Sequence, residues 1–255
     1  MTTTFSPLAA RSPALIAAGA PPAANQPWQL AGSDGNDRIV AALTPEEAAA
    51  AGAAFGLDLA IEGSAAVPHD GDGFVDFGPA GTSYYYSRMR GAAAGTLELD
   101  GETLQVEGTA WFDHQWGDFI SVGGGWDWFA INLDDAAATD ITLSIVRDAA
   151  GEAVLLYGTL DVPGGEPRHL GAGDFELEAL GTWTSPRTGR TWPSGWRVTI
   201  DALVIELEPT VDDQELDTRA TTGVVYWEGS QIVRATRGGV PLGGEAYVEI
   251  TRYAE

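Results

Sequence analysis

From residue 55 onward, apolar and polar positions alternate in short runs, the period of a half-buried β-strand. Thr96-Leu97-Glu98-Leu99, Ile141-Thr142-Leu143-Ser144-Ile145-Val146 and Trp196-Arg197-Val198-Thr199-Ile200 carry the pattern, and Val154-Leu155-Leu156-Tyr157-Gly158-Thr159-Leu160 joins them as a strand-like apolar run. They are rich in β-branched and aromatic residues and are cut at short intervals by Gly, Asp or Pro. Asp100-Gly101, between Gly95–Leu99 and Glu102–Val106, is a dipeptide that two-residue primed turns favour, and it predicts a hairpin. Ahead of residue 55, Ala, Pro and Gly dominate. There Thr44-Pro45-Glu46-Glu47-Ala48 reads as a helix start, with Thr44 as N-cap and Pro45 at the first helical position, and predicts one helix near residues 45–54. The expected class is all-β, an antiparallel sandwich or barrel.

An internal echo divides the chain further. Gly108-Thr109-Ala110-Trp111-Phe112-Asp113 and Gly244-Glu245-Ala246-Tyr247-Val248-Glu249 share the order glycine, any residue, alanine, aromatic, apolar, acid. Read as a repeat, it gives two similar β units that each end in an equivalent strand. The expected division is a poorly ordered Ala/Pro/Gly-rich segment over 1–45, a shortened first β unit over 46–122 and a complete second barrel over 123–255.

Composition narrows the chemistry. The 255 residues hold 37 Asp and Glu against 13 basic residues, all Arg, for a formal charge of −24, and there is no Cys. Without Lys there is no Schiff base and no phosphate-loop lysine. Without Cys there is no disulfide, thiolate nucleophile or Cys-ligated metal. The charge repels nucleic acid and anionic membrane faces, so neither is an expected partner. Three widely spaced His make zinc a poor fit. The apolar run Pro13–Ala20, with only Arg11 before it, is too short and too weakly flanked for a signal peptide. The chain is therefore read as soluble and cytoplasmic, with peripheral membrane association where a membrane holds the substrate.

The densest chemistry lies in Ala110–Leu133. On a strand, Phe112, His114 and Trp116 share one face while Trp111, Asp113 and Gln115 share the other; Trp126 and Trp128 lie on one face and Asp127 with Phe129 on the other. Two readings stay open for Asp113 and Asp127: a turn or edge carboxylate held by backbone, or a carboxyl desolvated among indoles whose pKa rises until it can donate a proton near neutrality. His114 is a core histidine satisfied by a carbonyl or a catalytic imidazole; His69 and His169 sit in Gly/Pro/Asp-rich loops. In Tyr84-Tyr85-Tyr86-Ser87-Arg88-Met89-Arg90, Tyr84, Tyr86, Arg88 and Arg90 share one face and Tyr85, Ser87 and Met89 the other, either a packed edge or a pocket wall.

Trp111–Gly117 and Gly125–Leu133 resemble the AttH / carotenoid 1,2-hydratase (hydroxyneurosporene synthase, CrtC) family of lipocalin-like proteins. The similarity continues in order through Tyr85-Tyr86-Ser87-Arg88, Gly95-Thr96-Leu97, Asp100-Gly101, Ser185-Pro186-Arg187-Thr188-Gly189, Trp192-Pro193 and Trp196. It closes with Asp213-Gln214-Glu215-Leu216, Tyr226-Trp227-Glu228-Gly229 and Gly244–Tyr253. The resemblance implies lipocalin-like barrels with an apolar ligand pocket and cofactor-free acid catalysis on a polyene or terpenoid. In the hydratases a carboxylic acid protonates a terminal alkene and water captures the tertiary cation. Cast in those roles, Asp113 or Asp127 is the proton donor, and His114 or a tyrosine of 84–86 orients the water. Trp116, Trp126 and Trp128 hold the cation, with Tyr84, Tyr86, Arg88 and Trp227 as further substrate-binding residues. The family also holds Diels–Alderase-like pericyclases, and a non-catalytic carrier of an apolar lipid or pigment fits the same fold. Family members usually open with a strand motif like Glu-Trp-Trp-Tyr, which has no equivalent before Tyr84. The first barrel is therefore expected to be shortened and to expose sheet edges that a second copy or a partner chain completes.

Overall fold

The computed structural model describes residues 3–4, 17–18, 28–33, 35–119, 123–219 and 224–252. Among them one α-helix, Pro45–Ala51, stands beside antiparallel strands, the expected class. The helix starts as its sequence predicts. The Thr44 hydroxyl accepts from Glu47 N at 3.2 Å while the Glu47 carboxylate accepts from Thr44 N at 2.8 Å, and Gly52 closes the last turn at φ 73°. Strands Trp28–Ser33 and Asn36–Ala42 form a hairpin ahead of it, in a stretch whose composition reads as structureless. Apart from Ala41 the residues of that hairpin are half-buried or exposed, so the clear burial alternation of the later strands is missing there. Much of the rest of 1–45, including most of Pro13–Ala20, lies outside the described residues.

The chain divides into two compact units, Met1–Ala66 with Arg88–Phe112, and Val67–Ser87 with Asp113–Glu255. In the first, Phe55–Glu62 pairs with Asn36–Ala42 on one side and with Ala92–Leu99 on the other. The long strands Gly81–Leu99 and Glu102–Phe119 meet at Asp100 and Gly101, whose φ values of 49° and 85° make the type I′ turn the dipeptide predicts. Both strands pass from one unit into the other along their length. No helix among the described residues is long and apolar enough to cross a membrane.

The second unit holds a ten-stranded antiparallel sheet running from Gly123 to Arg252. Its central strand, Gly123–Leu133, lies between Asp140–Asp148 and Val240–Arg252. Phe129, Ile131 and Leu133 project into one core with Ile141, Leu143, Trp196, Trp227, Val248 and Ile250. Leu170, on the strand at one end of the sheet, and Trp192 and Trp196, beside the other end, join that same core, so the sheet curls on itself as a barrel wall does. Burying each such side chain contributes roughly 1.5–3 kcal/mol.

Alternation turns the intervening residues to the opposite face. There, direct cross-strand pairs place Glu228, Glu249, Trp128, Ser144 and Tyr157 in one row over five adjacent strands. Val67–Pro68 and Phe74–Asp76 pair with the start of the Gly81–Leu99 strand, and through Val75 and Tyr85 they pack on Tyr157, Val146 and Leu155. This covering layer brings a second set of polar groups onto the row.

Candidate active site

Two chains of hydrogen bonds end on Asp113. In the first, Trp128 Nε1 donates to Tyr85 Oη at 2.9 Å and Tyr85 Oη donates to Asp113 Oδ2 at 2.8 Å. An indole nitrogen can only donate, so the phenol's own proton is left to point at the carboxylate. In the second, Ser87 Oγ donates to Asp113 Oδ1 and lies 2.7 Å from His69 Nε2, while His69 Nδ1 lies 3.0 Å from Thr159 Oγ1. Because the serine proton is committed to Asp113, Nε2 must carry the ring proton and Nδ1 must accept from Thr159. Burial pushes the His69 pKa down to about 3, so the ring is neutral at ordinary pH. Burial, and then the Asp113 charge, push Tyr85 well above the usual phenol value, which keeps it a donor. Both oxygens of Asp113 thus accept from buried hydroxyls, while the residue as a whole stays exposed.

His69 reaches this position through a tight turn. Asp70, Gly71 and Gly73 all take positive φ (53°, 86° and 86°), and the chain doubles back so that His69 N donates to Tyr85 O at 3.1 Å. The sequence His69-Asp70-Gly71-Asp72-Gly73 supplies the residues that tolerate this conformation.

Beside Asp113 lies the carboxyl end of the row. Glu249 sits directly opposite Glu228 on the next strand and opposite Trp128 on the other side, and Trp126 Nε1 donates to its Oε1 at 2.5 Å. Burial, then the charges of Glu228 and Asp113, push the Glu249 pKa up to about 7. Burial also raises Glu228, whose Oε2 accepts from Tyr247 Oη at 3.3 Å. Indoles, phenols and carboxyls therefore alternate over this surface. It can hold an apolar group against π faces and exchange protons with it.

The reverse side of the same hairpin is built differently. Tyr84 stacks on Trp116 at 5.5 Å between ring centroids, Phe74 meets Tyr84 edge-on at 5.5 Å, and Trp116 lies 4.6 Å from His114. His114 Nδ1 lies 3.2 Å from Tyr86 Oη, and burial lowers the His114 pKa. Tyr84 and Trp116 remain 52% and 46% exposed, so this is an open aromatic ladder. Asp113 and His114, adjacent in sequence, act on opposite sides of one strand.

The other sequence-derived candidates fall elsewhere. Asp127 projects from the face that carries Phe129 and pairs with Arg147 at 2.6 Å, while Trp126 and Trp128 project toward Glu249 and Tyr85. Trp227 is wholly buried in the barrel core, 5.6 Å from Trp196, with its nitrogen on Asp212 O at 3.0 Å. Arg88 belongs to the first unit, where its guanidinium donates to Ser64 O at 2.5 Å. Sequence reasoning named Tyr85 only within the run 84–86 and missed Ser87, His69, Glu228 and Glu249 as site residues. Among the described residues no group of three or more His, Asp or Glu is placed to hold a metal ion.

Residues 9–253 match the family model described as AttH-like. A protein of Nitrosomonas europaea assigned as an AttH has the same fold, with a TM-score of 0.76 and 30% identity over 89% of this chain and 68% of that one. Kievitone hydratase of Nectria haematococca follows with a TM-score of 0.68 and 21% identity, over 84% of this chain and 64% of that one. CghA, solved with Sch210972, shares the fold at a TM-score of 0.50 and 10% identity, over 89% of this chain and 79% of that one. The chain thus spans about two thirds of the length of the first two proteins. No curated protein sequence matches it.

Proposed function

The chain belongs to the AttH-like family, and from that premise we propose that it is an acid-catalysed hydratase that adds water across a terminal double bond of an acyclic terpenoid or carotenoid. The observation that carries the reading is Asp113, a solvent-reached carboxylate on which two donor chains converge, one of them starting at the Trp128 indole. The hydratase named among the structures of the same fold is consistent with it.

Protonation of a trisubstituted terminal alkene gives a tertiary cation. An indole face holds such a cation by about 0.5–2 kcal/mol when water is excluded, a role for Trp126 and Trp128. Water then attacks, and its surplus proton needs a base within hydrogen-bond reach. Asp113 is suited to that base because Tyr85 and Ser87 fix its two oxygens, and neutral His69 in turn fixes Ser87. The open ladder of Tyr84, Tyr86, His114 and Trp116 would gather the apolar chain of a substrate rather than act on its double bond.

The test is incubation with acyclic polyenes in heavy-oxygen water, followed by mass spectrometry. A tertiary alcohol that carries one heavy oxygen, formed by wild type and lost in Asp113→Asn, supports the reading. An unlabelled isomer or cyclised product would instead make the protein a pericyclase, and tight binding without conversion would make it a carrier.

A further inference from the structure

The internal echo in the sequence acquires a physical meaning at this site. Its two copies end in Asp113 and Glu249: Glu249 accepts from the Trp126 indole, Asp113 is joined through Tyr85 to the Trp128 indole, and the Asp113 charge acts on Glu249. We infer that the two echoed acids divide the proton chemistry of hydration, Glu249 delivering the proton to the alkene and Asp113 receiving the one released by water, with Glu228 as the positioning residue that holds Glu249 protonated. The assignment rests on the hydratase reading above.

The geometry separates the two acids by their partners. Asp113 is the end of two donor chains, so its oxygens are committed to accepting. Glu249 accepts one donor, Trp126 Nε1, at Oε1, and its second oxygen has no hydrogen-bond partner among the described residues, which leaves a place for the acidic proton. Across the strand it faces another carboxyl, Glu228, at the separation of a directly opposed pair, roughly 4.5–5.5 Å between Cβ atoms. Two carboxylates so placed repel, and the pair binds a proton in preference to ionising fully. The charged groups that act on Glu249 are Glu228 from strand Val225–Arg237 and Asp113 from strand Glu102–Phe119, both acids; Tyr247 on its own strand donates to Glu228. Burial and these neighbours hold its pKa near 7, the range in which a carboxylic acid can donate at neutral pH.

The step balances. The Glu249 O–H bond breaks and a C–H bond forms at the less substituted alkene carbon, leaving a tertiary cation and a Glu249 carboxylate. Water adds to the cation, and the oxonium gives its proton to Asp113. The product is the tertiary alcohol, and proton exchange with solvent returns both acids to their starting states.

Two measurements test the inference. In the first, carbon-13 NMR follows the glutamate side-chain carboxyls of wild type, Glu249→Gln and Glu228→Gln across pH. The resonance missing in Glu249→Gln should titrate near pH 7 in wild type and at least one pH unit lower in Glu228→Gln; titration in the ordinary carboxylate range overturns the inference whatever the activity. In the second, turnover of a polyene hydrated by wild type is compared among variants shown by circular dichroism to be folded. Glu249→Gln should lose at least 100-fold, Glu249→Asp should retain part of the rate, and Glu228→Gln should move the alkaline limb of the pH profile to lower pH. Full activity in Glu249→Gln overturns the proton assignment and leaves the hydratase reading standing. Failure of wild type to hydrate any polyene overturns the hydratase reading and with it the assignment, even if Glu249 titrates as expected.

Discussion

The two sides of the Gly81–Phe119 hairpin use neighbouring residues for opposite ends. On one side Tyr85, Ser87 and Asp113 are tied into hydrogen-bond chains that leave few freedoms and few unpaired atoms. On the other, Tyr84, Trp116 and His114 touch mainly through their rings, and Tyr84 and Trp116 stay open to solvent. A fixed polar network suits a step that needs atoms held within a few tenths of an ångström. An exposed aromatic ladder suits loose capture of an apolar chain. Strand alternation alone lets one stretch of chain serve both.

Crippling each side in turn separates their roles. Asp113→Asn should lower kcat by about 10²–10⁴-fold, the usual contribution of a positioned acid or base, with little change in KM. Trp116→Ala should do the reverse, raising KM several-fold while kcat holds. Steady-state kinetics on a hydrated polyene would show the split, and equal losses of kcat for both would erase the distinction.

The pH dependence of stability should also separate the carboxyl row from the hydroxyl network. The folded pKa of Glu249, about 7, lies above the unfolded value near 4.5, so the folded state binds the extra proton. Its contribution is fully present below about pH 4.5 and is lost as pH rises toward 7, roughly 3 kcal/mol in all. Chemical denaturation of Glu249→Gln should show that loss removed. His69 runs the other way. Its folded pKa, about 3, lies below the unfolded value of 6.5, so stability is present above pH 6.5 and falls as the pH drops. Between pH 6.5 and 5 wild type should lose about 2 kcal/mol through this residue, and a folded His69→Gln variant should not. An effect of comparable size is expected at Tyr85→Phe, which removes the hydroxyl that donates to Asp113 and accepts from the Trp128 N–H. A loss of about 1–3 kcal/mol in thermal or chemical denaturation would match.

Much of the fold is legible because its signals are local. The capping box at Thr44, the Asp100-Gly101 turn and the alternating strands after residue 123 each specify themselves. The pairing of faces across the long hairpin does not. Continuing an ideal register from the Asp100-Gly101 turn would set Asp113 opposite Arg88, yet side-chain contacts match Ser87 with Asp113, Tyr86 with His114 and Tyr84 with Trp116. That is one residue out of step, and a one-residue slip exchanges the faces. The hairpin therefore takes up an extra residue along its length, as a β-bulge does, and no residue type announces where. This is why Asp113 meets Tyr85 and Ser87 rather than Arg88 and Tyr86. His69 gave no signal, since a lone histidine in a Gly/Asp turn resembles any surface loop until Val67–Pro68 pairs beside Ser87. Glu249 did carry one, as the acid that ends the second copy of the echo.

The most direct measurement compares wild type, Asp113→Asn and Trp116→Ala in heavy-oxygen water at saturating polyene. Wild type and Trp116→Ala should form labelled tertiary alcohol at similar limiting rates, and Asp113→Asn should form it at least 100-fold more slowly. Labelled alcohol from a folded Asp113→Asn protein at the wild-type rate would contradict the assignment of water addition to the Asp113 side of the hairpin.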